Sequence, residues 1–194
     1  MRSKSESTRR RLQPADRRDE ILAAAIVALR THGRTCTVAH VTTEADTAKG
    51  NFYRYFASWD QLLDAVRDHL LDDYRRRLEQ RLTDAQPVDW WQLLAHEIRN
   101  YIDFQVELGI VHDIVFHRPG AAETTNKRGA DQILESLLVA GADDGTFRAT
   151  DTETMATLLF HTLHGAADEI SHGADRSRTE TGVIELFSAV LTKP

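Results

Sequence analysis

The stretch that decides the fold is Thr37–Val66, which reads TVAHVTTEADTAKGNFYRYFASWDQLLDAV. Its residues predict a short helix that begins after Thr37, a turn at Asp46-Thr47, and a second short helix over residues 48–55. Two short helices joined by a tight turn are typical of helix-turn-helix proteins, in which the second helix enters the major groove of DNA.

The second of these helices carries the residue types that a DNA-reading helix needs. Phe52 and Phe56 lie four residues apart on one face, so we expect them to pack against the two preceding helices. Gly50 allows the backbone to approach the duplex, and the Asn51 amide can donate and accept on a base edge. Hydroxyl and ammonium groups are expected to contact phosphate. The Thr37 hydroxyl is one of them, and it lies beside the positive N-terminal end of the first short helix, which favours an anion. These phosphate-contact residues are Thr37, Lys49, Tyr53 and Tyr55.

This run resembles the helix-turn-helix of the TetR family of bacterial transcriptional repressors, whose second helix typically reads Lys-Gly-x-(Leu/Phe)-Tyr-x-(Tyr/His)-Phe. The resemblance covers about residues 17–66, and the rest of the chain agrees only in length and helical pattern. It implies a repressor that binds a palindromic DNA operator as a homodimer and is released by a small-molecule inducer. The matching residues are Lys49, Gly50, Phe52, Tyr53, Tyr55, Phe56, Ser58, Leu62 and Leu63.

The turn and the preceding helix depart from the family pattern. The turn is Asp46-Thr47-Ala48 where the family usually has Gly-Val-Ser. Aspartate tolerates the left-handed conformation, so the turn is expected to form. Because alanine cannot cap a helix, Thr47 or Asp46 is expected to cap the second helix. Ala39 and His40 stand where the family often has an arginine or similar polar residue, which leaves the DNA contact there open.

The composition excludes several classes of protein. The 194 residues are 41% hydrophobic and 28% charged, which is typical of a soluble globular chain with a core. No apolar run reaches the roughly 18 residues of a membrane span, and the polar, basic N-terminus lacks the pattern of a signal peptide. Cys36 is the only cysteine, so an intrachain disulfide is impossible and a cytoplasmic location is expected. Cys36 is interpreted as a small buried residue or, alternatively, a redox-sensitive thiol near DNA.

The charge is unevenly distributed along the chain. The net charge is −6, yet residues 1–56 contain eleven Lys and Arg against six Asp and Glu, which makes that part +5 and the rest −11. A basic end on an acidic body suits a protein that presents one end to phosphates. The arginines Arg9-Arg10-Arg11 of the tail either enter the minor groove or form a solvated arm that raises non-specific affinity.

Capping patterns and helix-spaced apolar residues predict an all-α fold of nine helices and no strands. We expect an N-terminal three-helix helix-turn-helix domain over residues 15–57, after a disordered basic tail over 1–14. A larger helical ligand-binding and dimerisation domain is expected over 58–194. A seventh helix is predicted over about 122–140, and the fifth is interrupted at Gly109. The predicted cap pairs of the fourth, fifth, eighth and ninth helices are Ser58 with Gln61, Asp89 with Gln92, Thr150 with Glu153, and Ser177 with Glu180.

The fifth helix has an apolar, aromatic face that also contains Glu97 and Gln105. Burying a polar group costs free energy unless something bonds to it, and an apolar ligand pocket with a few polar groups is one solution. The resemblance implies an inducer held between helices four to eight. Glu97, Tyr101 and Gln105 are the predicted polar contacts; alternatively, Glu97 pairs with an arginine of helix four or seven and is structural. The predicted wall residues are Phe104, Leu63, Val66, Phe116, Val115 and Leu134.

The eighth helix carries a stripe of histidines. The resemblance implies that helices eight and nine form a four-helix dimer interface, so His161, His164, Gly165 and Asp168 are predicted to face the two-fold axis. Alternatively, His161 and His164 share one metal ion, since residues three apart on a helix can do so. A further cluster, His112, Asp113 and His117, lies near the sixth helix and is interpreted as structural or interfacial. Alternatively, His112 or His117 contacts the ligand.

No catalytic site is expected. The chain has no glycine-rich phosphate loop after a strand and no nucleophile-elbow pattern. We therefore expect a DNA-binding regulator that is not an enzyme and has no cofactor, no bound metal and no membrane partner. Two rival interpretations remain: a metal or proton sensor that uses His161 and His164, and an enzyme whose site lies on helices five to seven.

Overall fold

A computed structural model describes residues 14–84, 89–118, 130–148 and 151–192. Within these ranges all regular structure is helical, with a single 3-10 turn at Gly33–Thr35, so the expected all-α fold is confirmed. The predicted basic tail, the predicted start of the seventh helix and the predicted cap Thr150 lie outside the described residues. The α-helices are α1 Pro14–His32, α2 Val38–Glu44, α3 Lys49–Tyr55, α4 Trp59–Asp84, α5 Trp90–Leu108, α6 Ile110–Phe116, α7 Ala130–Asp143, α8 Thr152–Ser171 and α9 Arg176–Leu191.

The chain forms two compact units, residues 1–65 and residues 66–194, and α4 contributes residues to both. In the first unit α1 packs on α2, and α2 packs on α3. Burial of apolar side chains from all three helices and from the start of α4 supplies the main stabilising free energy of this unit. The largest of these buried side chains are Ile21, Leu22, Leu29, Phe52, Phe56 and Leu62.

The turn before α3 forms as predicted, but its cap does not. Asp46 has φ 42°, which is the left-handed conformation expected of it. The prediction that Thr47 or Asp46 is the cap residue of α3 is wrong, because Ala48 is the N-cap residue. At this end the backbone N–H of Asn51 donates to the Ala48 carbonyl at 2.9 Å.

Aspartates cap three helices of the second unit. The carboxylate of Asp89 accepts from the backbone N–H groups of Trp91 and Gln92, which confirms the predicted start of α5. The predicted starts of α8 and α9 are wrong by one and two residues. Asp151 caps α8 rather than Thr150, and Asp175 caps α9 rather than Ser177.

The start of α4 follows the predicted capping pattern. The Ser58 hydroxyl accepts from the Gln61 backbone N–H at 3.1 Å. The Gln61 side chain in turn accepts from the Ala57 N–H, one residue before the cap. These two backbone N–H groups are therefore satisfied by side chains.

The second unit is built around α8, which packs against α5, α7 and α9. Its core joins buried residues of these helices and of the C-terminal part of α4, among them Tyr74, Ile102, Leu138 and Phe187. Gly109 separates α5 from α6, as predicted, with φ 52° and ψ −128°. Only glycine adopts this conformation without strain, so the chain can change direction between the two helices there.

Within the part of the chain that the structure describes, no helix combines the length and apolar character that a membrane crossing requires.

Candidate functional site

The exposed side of α3 carries the residues predicted to contact DNA. Lys49, Gly50 and Asn51 are exposed, and the Tyr53 side chain is 49% exposed. Tyr55 is half-buried. On the opposite side, Phe52 and Phe56 are buried with ring centroids 5.8 Å apart, as expected, and the Arg18 guanidinium lies 5.3 Å from the Phe56 ring. The two phenylalanines hold α3 against its neighbours, which leaves its polar side accessible to a partner. The remaining predicted contact, Thr37, is exposed at the start of α2.

Two of these side chains are held in place by their neighbours. The Asn51 side-chain amide donates one N–H to the Thr47 hydroxyl at 3.1 Å, so its carbonyl oxygen and its second N–H remain to bond a base edge. The Lys49 ammonium lies 6.0 Å from the centroid of the Tyr53 ring, within the range of a cation–π contact. Side chains that are already ordered lose less entropy when they bind.

His40 is a residue of this surface whose role the sequence did not reveal. The backbone N–H of Thr37 donates to His40 Nδ1 at 3.3 Å, the contact that a Glu or Gln usually makes in a capping box. The His40 ring also stacks on His32, with centroids 3.9 Å apart. Because Nδ1 accepts a hydrogen bond, the proton of the neutral ring is on Nε2, which leaves a donor at the start of α2. The sequence signal that could have revealed this contact is the position of His40 three residues after Thr37, which is the capping-box spacing.

A small cavity lies inside the second unit, with a volume of about 40 Å³. Aromatic and aliphatic side chains from α4, α5, α7, α8 and α9 form most of its wall. Glu97 and Tyr101, two of the three predicted polar contacts, and Leu134 reach it. The lining residues are Tyr74, Leu78, Leu94, Glu97, Ile98, Tyr101, Ile133, Leu134, Leu137, Phe160, Leu163 and Phe187.

Several residues predicted for this wall lie elsewhere. Leu63 is buried in the first unit, and Val66 is buried but does not reach the cavity. Phe104 stacks against Tyr74 with centroids 4.7 Å apart, behind the wall. Phe116 stacks on His112, and Val115 is buried in the same short helix α6. Helical spacing placed each of them on an apolar face but could not say which apolar neighbour that face meets.

Glu97 is paired with an arginine of α4, as the structural alternative predicted. Arg81 donates to both carboxylate oxygens, at 3.0 and 2.6 Å, and the Asn100 amide adds a third hydrogen bond at 3.2 Å. This bidentate pairing raises the pKa of the Arg81 guanidinium. The carboxylate is only 7% exposed, and its charge is balanced within the chain. A ligand therefore meets a satisfied ion pair at this wall rather than a free charge.

Tyr101 is the polar centre of the cavity wall. Its hydroxyl accepts from the Gln105 amide at 2.7 Å and lies 3.0 Å from His164 Nδ1. Burial raises the pKa of Tyr101 well above its ordinary value. Burial, helped by the Glu97 carboxylate, likewise raises the pKa of Tyr74. Both phenols are consequently neutral at physiological pH. Gln105, predicted as a direct contact, acts behind Tyr101 instead of lining the cavity.

A comparison with protein families identifies the first unit. Residues 21–66 match the model of the bacterial regulatory proteins of the tetR family. The N-terminal unit of this chain is a helix-turn-helix of the TetR family. The protein is a transcriptional regulator with an N-terminal helix-turn-helix, and it is not an enzyme.

The chain is also similar to known proteins along most of its length. It is 27% identical over 146 residues to the HTH-type transcriptional repressor KstR2 of Mycolicibacterium smegmatis, a match that covers 70% of each chain. A crystal structure of a TetR-family regulator from Pectobacterium atrosepticum is similar with a TM-score of 0.76 at 22% identity, over 96% of this chain and all of the other. RolR in complex with resorcinol is similar with a TM-score of 0.70 at 22% identity, over 89% and 88% of the two chains.

A cluster of histidines lies beside Tyr101 in this regulator. His112 and His117 of the α6 region meet His164 and Asp168 of α8, and one potential ligand atom from each lies within 4.8 Å of all the others. Burial, followed by the charges of neighbouring histidines, lowers the pKa of His112 to about 3. Burial also lowers the pKa of His164, although Asp168 opposes that effect. These two imidazoles are therefore neutral at physiological pH.

The structure separates the residues predicted for the dimer face. His161 and Gly165 are exposed on α8. His164 and Asp168 instead turn toward α6 and contact His117 within the same chain. His161 is not part of the histidine cluster. The pair predicted as an alternative metal site, His161 with His164, is therefore not brought together with the cluster, which combines residues of the α6 region and of α8.

Proposed function

We propose that this regulator is a repressor that binds a palindromic DNA operator as a homodimer and is released by a small-molecule inducer. The observation that carries the proposal is α3, which buries Phe52 and Phe56 and exposes Lys49, Asn51 and Tyr53. An operator in the chromosome implies a cytoplasmic location. The repressor name of the KstR2 relative supports the direction of control.

The chemistry of the cavity favours a small, mainly apolar or aromatic inducer. Its wall contains four aromatic rings, and its one carboxylate is already paired with Arg81. The Tyr101 hydroxyl is the polar group placed to orient such a molecule. RolR, a structural neighbour, was crystallised with the small aromatic ligand resorcinol, which supports this class of molecule.

The size of the cavity suggests how an inducer acts. A volume of about 40 Å³ holds only a few water molecules, since each needs roughly 10–15 Å³. A ring-sized molecule must therefore move the surrounding helices in order to bind. A ligand shifts a conformational equilibrium only if it binds one conformation more tightly than the other. A ring-sized molecule fits only the conformation with the enlarged cavity, so it has such a preference. Tyr74 and Leu78 of α4 line the cavity, and α4 begins in the DNA-binding unit, so we infer that its movement changes the DNA-binding state.

A cavity-filling substitution tests this proposal. In Leu134→Trp the indole is expected to occupy the cavity, so the protein should bind its operator but no longer release it on addition of an inducer. Val139→Trp is the matched control, because Val139 lies on the same helix and its side chain is 40% exposed. Chromosomal fragments flanking the gene provide the operator, and a panel of small phenols and fatty acids provides the inducers.

The measurement is the change in operator affinity on addition of each compound. Firm binding of a compound to the native chain without any change in DNA affinity would contradict the inducer part of the proposal. Equal responses of both tryptophan variants would contradict the assignment of this cavity. Failure of the native chain to select any DNA fragment would contradict the operator part.

A further inference from the structure

We propose that His112, His117, His164 and Asp168 form a binding site for one divalent transition-metal ion of the zinc class. The two parts of this site come from α6, with the residue that follows it, and from α8. They are far apart in the sequence and meet only through the packing of the second unit. The proposal is independent of DNA binding and replaces the expectation from the sequence that no metal is bound.

The distances between the donor atoms fit a tetrahedral ion. Zinc lies about 2.0–2.1 Å from nitrogen and oxygen ligands, so tetrahedral geometry places neighbouring ligand atoms about 3.3 Å apart. His117 Nε2 lies 3.4 Å from His164 Nε2 and 3.2 Å from Asp168 Oδ2. His164 Nε2 is 3.8 Å from that same oxygen, and His112 Nδ1 is 3.6 Å from Asp168 Oδ1. All four donor atoms lie within 4.8 Å of one another, so the most widely separated pair would close by up to about 1.5 Å when one ion is bound.

His112, the most buried of the four donors, forms no hydrogen bond through its ring within the described part of the chain. His112 is 1% exposed, yet neither of its ring nitrogens has a hydrogen-bond partner among the described residues. Asp168 Oδ1 is also buried without one. Unpaired buried polar atoms cost free energy, and most buried polar atoms in folded proteins are bonded. Coordination of an ion would give a partner to one ring nitrogen of His112 and to the Asp168 carboxylate together.

Surrounding hydrogen bonds orient the donors as a metal site requires. The Tyr101 hydroxyl contacts His164 Nδ1 at 3.0 Å, which leaves Nε2 of that ring directed to the cluster. Gln105 fixes the hydroxyl in turn. Ligating histidines usually hydrogen-bond through their second nitrogen in this way. His117 is the most exposed of the four donors, with 36% of its side chain accessible, and it offers a path for the ion to enter.

The donor set selects the class of ion. Three imidazole nitrogens and one carboxylate suit Zn²⁺, Co²⁺, Ni²⁺ or Cu²⁺, whereas Mg²⁺ and Ca²⁺ prefer oxygen ligands throughout. Four protein ligands also complete a tetrahedral shell, which is typical of a structural site rather than a catalytic one. The ion would therefore join α6 to α8 and stabilise the folded second unit.

Direct metal binding to the full chain tests the proposal. Chelator-treated protein is titrated with Zn²⁺ and, for its visible spectrum, with Co²⁺. We expect one ion per chain, an increase in thermal stability with Zn²⁺ but not with Mg²⁺, and the intense visible bands of tetrahedral Co²⁺. His117→Ala should weaken the affinity by more than about tenfold, and Asp168→Asn should do likewise. Neither removes a large buried apolar side chain, and circular dichroism verifies that both variants fold.

His161→Ala is the matched control, since it removes an exposed imidazole one turn away on the same helix. It should bind the ion as the native chain does. Loss of binding in His161→Ala with retention in His117→Ala would overturn the assignment. So would an absence of Zn²⁺ binding at micromolar concentrations, which would leave the four residues as a hydrogen-bonded cluster only.

Discussion

Lys49 stands at the first position of α3, exposed and beside the exposed ring of Tyr53. If its ammonium contacts a phosphate, Lys49→Ala should weaken binding to all DNA sequences about equally. The slope of log K against log salt concentration should fall in magnitude by about 1, since one counterion fewer is released. Arg99→Ala removes an equal charge from the exposed side of α5 and serves as the control. An identical salt slope in native and Lys49→Ala proteins would exclude the phosphate contact.

Cys36 precedes α2 and is 9% exposed. Burial raises the pKa of its thiol, against a smaller opposing effect of a hydrogen bond from the Thr37 backbone. Since the thiolate is the reactive form, iodoacetamide at pH 8 should modify the native chain at least about tenfold more slowly than the urea-unfolded chain. The rate for the native chain should rise only above the pH range in which an ordinary cysteine ionises. Equal rates in both states would favour the redox-sensitive thiol over the buried residue.

Helix α7 contains a glycine that the packing of Phe147 requires. A Cβ added at Gly141 would lie 3.1 Å from Phe147 Cγ and closer still to two other ring atoms. The ring cannot move freely, because it is 1% exposed and packs edge-to-face on Trp91 at 5.0 Å. Gly141→Ala should therefore lower the free energy of unfolding by about 1–3 kcal/mol, despite the better helix propensity of alanine.

Gly182→Ala in α9 is the comparison for that variant, since its added Cβ meets nothing within 4 Å in this chain. It should be neutral or stabilise by up to about 1 kcal/mol. Urea unfolding of both variants measures the difference. Similar stability of the two variants would show that the Phe147 ring relaxes at little cost.

The helices themselves could be predicted because their signals are local. Apolar spacing and the capping residue Asp89 located the start of α5 to the residue. The starts of α8 and α9 were missed because Asp151 and Asp175 stand within two residues of other good capping residues, and capping preference separates Asp from Thr only weakly and from Ser hardly at all. The histidine site could not be predicted, because His112 and His164 meet only when α6 packs beside α8. The same limit applies to Tyr74, which reaches the cavity from a helix whose orientation the sequence does not fix.

At the scale of the whole molecule, we propose that the two copies of a homodimer contact each other through an exposed stripe on α8 and α9, which includes Leu158 and Leu186. Its most exposed apolar side chains are Leu158 at 57% and Leu186 at 44%. Apolar residues exposed on a monomer often mark an interface. Leu158→Glu should therefore shift the protein toward monomer and weaken operator binding strongly, since a palindrome needs two α3 helices about 34–36 Å apart or a multiple of that distance.

Sedimentation or light scattering measures the oligomeric state in that experiment. Val139→Glu is the control, because it places the same charge on an exposed position of α7. A native chain that is monomeric at the concentrations that bind DNA would contradict the dimer. A Leu158→Glu variant that remains dimeric would move the interface to another surface.

The arrangement of α8 has a consequence for how relatives of this chain diverge. One edge of the helix contributes Phe160 and Leu163 to the cavity, another supplies His164 and Asp168 to the histidine cluster, and a third exposes Leu158. A substitution in α8 that alters one edge readily disturbs the others. Evolution of a new effector preference is therefore easier through α5 and α7, whose cavity residues Leu94 and Leu134 belong to neither the cluster nor the stripe.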